Sequence, residues 1–281
     1  MSQFTTEWLS LREPLDIKSH NQNVLRNCVD TFKNHETISI CDLGSGTGAS
    51  VRAISPLLPK QQCWTLVDHD AKNLSAAKYI LADWADSTQM TSNGISIRRS
   101  EINIEVKFLL SNLATETSPW PPKTDLVIAS ALFDLTSNSW ISKIINKLSE
   151  RKLSLLAVLN FDGRMKANPS HVLDERMFES FRVHQKRDKG FGAAAGPNAV
   201  SVLEDTLQGY GYKVTSGNSP WRMNSESRPL MNETLRGIAA AVTDTEMLKK
   251  SEVKNWLDKR IAQTESLIIG HRDIFARPKE Q

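Results

Sequence analysis

Cysteine is scarce in this chain, with three among 281 residues. Cys28, Cys41 and Cys63 are odd in number and stand at no metal-ligand spacing. Two of them fall in apolar runs expected as buried strands, so all three read as reduced core thiols and no disulfide is expected. Long hydrophobic runs are missing as well. Nowhere do 18 uninterrupted apolar residues occur, which excludes a helical membrane span. The opening stretch Met1 to Glu7 has no basic segment followed by an apolar one, so no leader is expected and the protein is placed, soluble, in the cytoplasm. Charge of one sign is also lacking. The net charge is only +3, and the basic runs Arg98-Arg99 and Lys186 to Lys189 read as solvated surface, which argues against a nucleic-acid partner. No internal repeat and no low-complexity tract breaks the chain.

What is present is a series of short apolar runs separated by helix-length segments, the pattern of a parallel sheet covered on both faces. The runs are Ile38 to Cys41, Cys63 to Val67, Val106 to Leu110, Asp125 to Ser130, Leu153 to Leu159, Tyr212 to Thr215 and Ser266 to Phe275. Helices are expected near Asn21 to Phe32, over Ala71 to Asp83, around Trp140 to Leu148, from Pro197 to Leu207 and from Thr245 to Gln263. Ser92-Asn93-Gly94 is a turn signal before a small extra strand at Ile95-Ser96-Ile97. The whole reads as one domain: a helical cap over residues 1–36, a ligand-binding half over 37–160, an insertion over 161–197, and the rest of the sheet over 198–281.

The most informative segment is Asp42-Leu43-Gly44-Ser45-Gly46-Thr47-Gly48. It follows an apolar strand and precedes a helix, so it reads as a strand, a glycine turn and a helix start. Glycines at alternate positions let backbone N–H groups approach a ligand at the positive end of the next helix. Asp42 decides between ligands, because a carboxylate there repels the pyrophosphate of a dinucleotide and welcomes a cation. About twenty residues on, the second strand ends in Asp68-His69-Asp70, and an acid at that tip can accept from both ribose hydroxyls.

These two motifs resemble those of the class I S-adenosylmethionine-dependent methyltransferases, whose first motif is an acid followed by spaced glycines and whose second is an apolar strand ending in Val-Asp. The resemblance implies a doubly wound, mostly parallel seven-stranded α/β sheet of the Rossmann-like methyltransferase type, with an antiparallel last strand. It implies S-adenosyl-L-methionine as cofactor, with Asp42, Gly44, Ser45, Gly46 and Gly48 at the methionine end, Asp68 at the ribose, and His69, Asn112 and Leu113 around the adenine. Ser130 borders the methyl group. Asp134 is a candidate for orienting a substrate or for capping the helix that follows. The Asn/Asp-Pro-Pro-aromatic motif of nucleobase amino-methylating enzymes and the Pro-Cys of cytosine C5 enzymes are both missing.

From Phe161 to Pro197 the chain turns polar, basic and glycine-punctuated, and it is expected to form a lid over the sheet's working edge. This loop resembles a subgroup signature of bacterial methyltransferases of undefined substrate. His184 and Asp162 are the candidate catalytic residues within it, and Arg164 and Lys189 are candidates for holding a substrate anion. His271 reads as structural, and Trp221 as a pocket wall or core filler. The expected activity is methyl transfer to an oxygen or nitrogen of a small molecule. The alternatives are a methyltransferase of RNA or protein, a NAD-dependent oxidoreductase, since Gly44-x-Gly46-x-x-Ala49 also meets the relaxed dinucleotide pattern, and a binding protein without turnover.

Overall fold

A computed structural model describes residues 5–279; the first four residues of the amino-terminal stretch discussed above lie outside the described residues. Helices α1 (Thr6–Ser19) and α2 (Gln22–Phe32) come first, capped by Thr5, which accepts from the Trp8 N–H, and by Asn21, which accepts from the Asn23 and Val24 N–H groups. The sheet then begins with β1 (Thr37–Leu43) and β2 (Gln61–Asp68), separated by the short α3 (Ala49–Ile54). After α4 (Ala71–Trp84) come β3 (Ser87–Thr91), β4 (Gly94–Arg99), β5 (Ile102–Leu110) and β6 (Leu126–Ser130). Next are α5 (Asn138–Glu150), β7 (Ser154–Asn168), α6 (Asp174–Gln185), α7 (Ala199–Gly209), β8 (Tyr212–Asn218) and β9 (Trp221–Met223). The chain closes with α8 (Arg228–Thr245), α9 (Lys250–Gln263) and β10 (Ser266–Pro278).

Strict alternation explains why the strands pack on both faces. In β1, Ile38 and Ile40 join the core cluster that includes Val24, Cys28 and Phe32 of α2, while Cys41 and Leu43 join the opposite cluster with α5 and α7. β6 and β7 repeat this, with Leu126, Ile128, Leu156 and Val158 on the first side and Val127, Ala129, Leu155 and Ala157 on the second. Each such fully buried Val, Leu or Ile side chain is worth about 1.5–3 kcal/mol. Strand order is β3-β4-β5-β2-β1-β6-β7-β10-β8, with β9 paired to β10. From β5 to β7 neighbours run parallel, and β10 enters antiparallel between β7 and β8. The seven expected strands thus form the centre in the expected arrangement, and β3, β4 and β9 add to it. The order reverses at β1, between β2 and β6, which opens a crevice at the carboxyl ends of these strands.

Several expectations need correction. Cys63 is exposed, because at the start of β2 only alternate residues are covered, so it is no core thiol. The segment 161–197 is far from irregular: β7 runs on to Asn168, pairing with Ser266 of β10, and α6 buries Met177 and Phe178. The helix expected over 245–263 starts later, as α9. Before it, Glu246 takes a left-handed φ of 58° and ends α8, a helix the sequence reading did not assign. Among the described residues no helix is long and apolar enough to cross a membrane.

Candidate active site

The glycine turn lies where the sheet order reverses. Gly44, Gly46 and Gly48 have φ of 67°, 52° and 75°, the left-handed region that glycine enters without a Cβ clash. The N–H groups of Gly44 and Ser45 donate to the Val67 carbonyl at 2.8 and 3.0 Å, which ties the turn to β2. The next N–H, of Gly46, donates to Asp68 Oδ2 at 2.8 Å, and Asp70 donates its N–H to Asp68 Oδ1 at 2.9 Å. Asp68 is therefore fixed at the tip of β2 with one backbone donor on each oxygen, and each oxygen keeps acceptor capacity. A side chain at Gly46 would meet Leu9 Cδ1 at 3.1 Å, so α1 lies directly over the turn.

Beneath the turn, Asp42 is buried and neither of its carboxylate oxygens has a hydrogen-bond partner. Burial pushes its pKa up to about 7, with the nearby Ser50 hydroxyl opposing and Asp68 adding to the rise. A buried carboxyl with no partner is costly to hold charged, and a cation placed beside it relieves that cost.

A cavity of about 130 Å³ opens above these groups. Gly44, Gly46, Asp68, His69, Asn112, Leu113 and Ser130 line it, so most of the residues named from sequence come together there. Asp42, Ser45 and Gly48 do not line it, Asp42 because it is buried beneath the turn. Ser45 is buried with an unbonded hydroxyl, and Gly48 starts α3 against Leu66 and Leu81. Asn112 also serves a local turn, its Oδ1 accepting from the Ala114 N–H at 3.0 Å. The roof comes from Leu9 and Arg12 of α1 and from Lys189 and Phe191 of the 186–195 loop. The sequence reading set a helical cap over residues 1–36 but did not bring α1 to this cavity.

A larger chamber of about 490 Å³ adjoins the first, and Arg12, Ala131, Leu135 and Lys189 border both. Its walls are mostly apolar, with Trp8, Phe161, Met165, Phe181 and Trp221 prominent. Ala131 and Leu159, at the carboxyl ends of β6 and in β7, carry φ of 50° and 56°. Such values cost about 1–3 kcal/mol for residues with a Cβ, and they set the chain's path along the chamber wall.

Asp134 lines the chamber and is buried, with Oδ1 unbonded. Burial pushes its pKa up to about 6, against the backbone donors of Asp134 and Phe161 and the charge of Arg12. It does not cap the next helix, because Ser137 accepts the Trp140 N–H there at 3.2 Å. His271 lines the chamber too, between Trp221 and Phe161. Burial and then Arg12 hold its pKa down to about 3 despite Asp162 and Asp273, so the ring is neutral. Arg12 itself is engaged: it donates to Asp16 at 2.7 Å and lies 4.9 Å over the Trp221 ring, and Trp221 Nε1 donates to the same Asp16 at 2.8 Å.

Of the residues named in the 161–197 segment, His184 and Lys189 reach the chamber. They lie 3.4 Å apart, and His184 Nε2 is 3.8 Å from Asp244. Burial, then Lys189 and Arg187, lower the His184 pKa. Asp162 and Arg164 line neither chamber. They pair with each other, and Arg164 also donates to Asn218 at 2.8 Å, because side chains alternate along β7, so that Phe161 and Met165 face the chamber and Asp162 and Arg164 the opposite face. Arg12, Trp8 and His271 are the site residues that sequence reasoning missed or set aside.

No family model matches this sequence, and no curated protein matches it. Solved structures do resemble its fold. The YcgJ protein of Bacillus subtilis superposes over 93% of this chain and 100% of its own, with 11% identity and a TM-score of 0.51. A protein of Bacillus halodurans C-125 put forward as a methyltransferase superposes over 92% of this chain and 100% of its own, with 13% identity and a TM-score of 0.50. The chain therefore has the Rossmann-like methyltransferase fold anticipated from its two motifs.

Proposed function

We propose that this protein transfers a methyl group from S-adenosylmethionine to an oxygen or nitrogen of a small molecule. The observation that carries the reading is the pair of carboxyls at the glycine turn, Asp42 unbonded beneath it and Asp68 pinned at its rim, beside a cavity that leads into a walled second chamber. When bound, the cofactor supplies a methyl group activated on a cationic sulfur. Asp68 would hold its ribose, His69 and Leu113 would flank its adenine, and Asp42 with the turn would face its methionine end. The donor set fits an adenosine that carries an amino acid. It suits a dinucleotide poorly, because the Asp42 carboxyl beneath the turn opposes a pyrophosphate.

The chain's own residues prepare the transfer in three ways. Leu9, Phe191 and Leu132 cover the first chamber and exclude water. Ala131 and Leu135 form the passage along which an acceptor approaches in line. Asp134, and beyond it His184, are the groups able to hold a proton released from an acceptor. The apolar chamber favours a small-molecule acceptor over RNA or a protein, either of which calls for an extended basic groove. Titration calorimetry tests the cofactor half. S-adenosylhomocysteine should bind at one site per chain and NADH should give no heat, whereas the reverse pattern would sink the reading.

A further inference from the structure

The second chamber has a character that narrows its ligand. Its walls are mostly aromatic and aliphatic, with Arg12 and Lys189 where it meets the first chamber and Asp134, His184, Glu233 and His271 among the polar side chains of its own lining. Two of those side chains, Asp134 and His271, are more than nine-tenths buried and keep a polar atom, Oδ1 and Nδ1, that no protein group bonds. Buried polar atoms are ordinarily satisfied, so a partner from outside the chain is the missing element. A carboxylate only accepts, so that partner must bring an O–H or N–H. Neutral His271 offers its unbonded Nδ1, donor or acceptor according to the tautomer, to such a head group.

The charges around the passage exclude the other choices. Arg12 is held by Asp16 and stacked on Trp221, so it is not free to clamp an anion. Arg164 is occupied by Asp162 on a different face. A head seated at Asp134 meets a carboxyl there, which disfavours an anion, and the Lys189 ammonium lines the same chamber, which disfavours a cation. An uncharged head is left.

We infer that the second chamber binds an uncharged, largely apolar, ring-sized molecule through a single hydroxyl seated at Asp134, next to the passage residue Leu135, and at His271. Trp8, Phe161, Phe181 and Trp221 hold its body by burial and ring packing. This deepens the methyltransferase reading by naming the class of acceptor, and it rests on that reading only for the fate of the bound molecule.

The test is a ligand series on the full chain, read by calorimetry and probe fluorescence with S-adenosylhomocysteine present and absent. The probes are 2-naphthol, its donor-less ether 2-methoxynaphthalene, and naphthalene-2-sulfonate, which carries an anionic head on the same body. The expected order is 2-naphthol tightest, with the ether and the sulfonate each at least fivefold weaker. Asp134→Asn should reduce the naphthol-to-ether preference below twofold while leaving ether binding and S-adenosylhomocysteine affinity within twofold of the wild type. Binding of the sulfonate as tight as or tighter than the naphthol overturns the proposal, and so does absence of naphthol binding. The wild-type series decides the matter even if Asp134→Asn fails to fold. Failure of S-adenosylhomocysteine to bind, with the naphthol order intact, would remove the methyltransferase reading and leave the chamber's specificity standing.

Discussion

Asp42 is the residue at which function and stability pull in opposite directions. Its pKa, about 7 against an ordinary 3.8, means the folded protein takes up a proton more readily than the unfolded chain. For a carboxyl raised in this way, stability is lost as pH climbs from 3.8 through about 7 and is regained as pH falls, by ~1.4 kcal/mol for each pH unit crossed between those limits. Asp42→Asn should therefore melt several degrees above the wild type at pH 8 without ligand, and the gap should shrink to roughly half by pH 5.5, while affinity for S-adenosylhomocysteine falls. Comparing variant with wild type cancels opposing groups such as neutral His271, and a gap independent of pH would count against the assignment. Asp68→Ala should cost roughly 1.5–3 kcal/mol of cofactor binding through loss of charge-assisted bonds. Gly46→Val should abolish cofactor binding in a chain that still folds, because a branched side chain would sit at a φ of 52°, 3.1 Å from Leu9, in the space the ligand needs. Circular dichroism with calorimetry checks both halves of that statement. All three residues were legible in the sequence because their roles follow from a strand, a turn and a helix start contiguous in the chain. Arg12 and His271 were not, since each acquires its meaning only from groups far away in the chain, Trp221 for the one and the Asp134 chamber for the other.

Among the α-helices, α1 has the least secure hold on the fold, and it lies against the cofactor cavity. None of its residues is buried, yet it sets Leu9 on the glycine turn and Arg12 between the chambers. Its anchors are polar: Glu13 accepts from Arg52 Nε at 2.6 Å, and Asp16 binds Arg12 and Trp221. Elements with few buried apolar contacts open at low free energy, so the amides of α1 should exchange with solvent faster than those of α5, where Trp140, Ile141, Ile144, Ile145 and Leu148 are buried. Adding S-adenosylhomocysteine should slow exchange in α1 and leave α5 unchanged; equal protection of α1 with and without ligand would show that it is not the cofactor's cover. Sequence reading set a cap at this end of the chain but looked for the lid in 161–197. Its polar composition and glycines suggested a loop, whereas pairing with β10 draws residues up to Asn168 into the sheet and packing of Met177 and Phe178 makes the next stretch a helix. Tertiary partners decided those states, and local composition could not report them.

At the scale of the molecule, the sheet order was readable because seven apolar runs spaced by helices admit few parallel arrangements, and right-handed crossovers prune those further. Of the additions, β4 was marked by the alternation of Ile95-Ser96-Ile97, whereas β3 and β9 were less visible because they are short and, for β3, fully exposed, so no hydrophobic alternation marks them. The same layout places both chambers at one end of the sheet, on α1, the ends of β1, β2, β6 and β7, and α8, so a ligand bound there links elements distant in sequence. Binding to the folded state alone stabilises it by mass action, about 2.7 kcal/mol when ligand stands at a hundred times its dissociation constant. For a chain of this size that corresponds to a rise in melting temperature of roughly 5–10 °C. S-adenosylhomocysteine should produce such a rise, and 2-naphthol added afterwards should produce a further one, because the two chambers adjoin without sharing their floors. A larger rise at pH 8 than at pH 6 is expected for the first ligand, whose ammonium group compensates the ionised Asp42 that destabilises the empty protein most in alkali. NADH at the same concentration should leave the melting temperature where it was, and a rise with NADH in place of S-adenosylhomocysteine would transfer the site to dinucleotide chemistry.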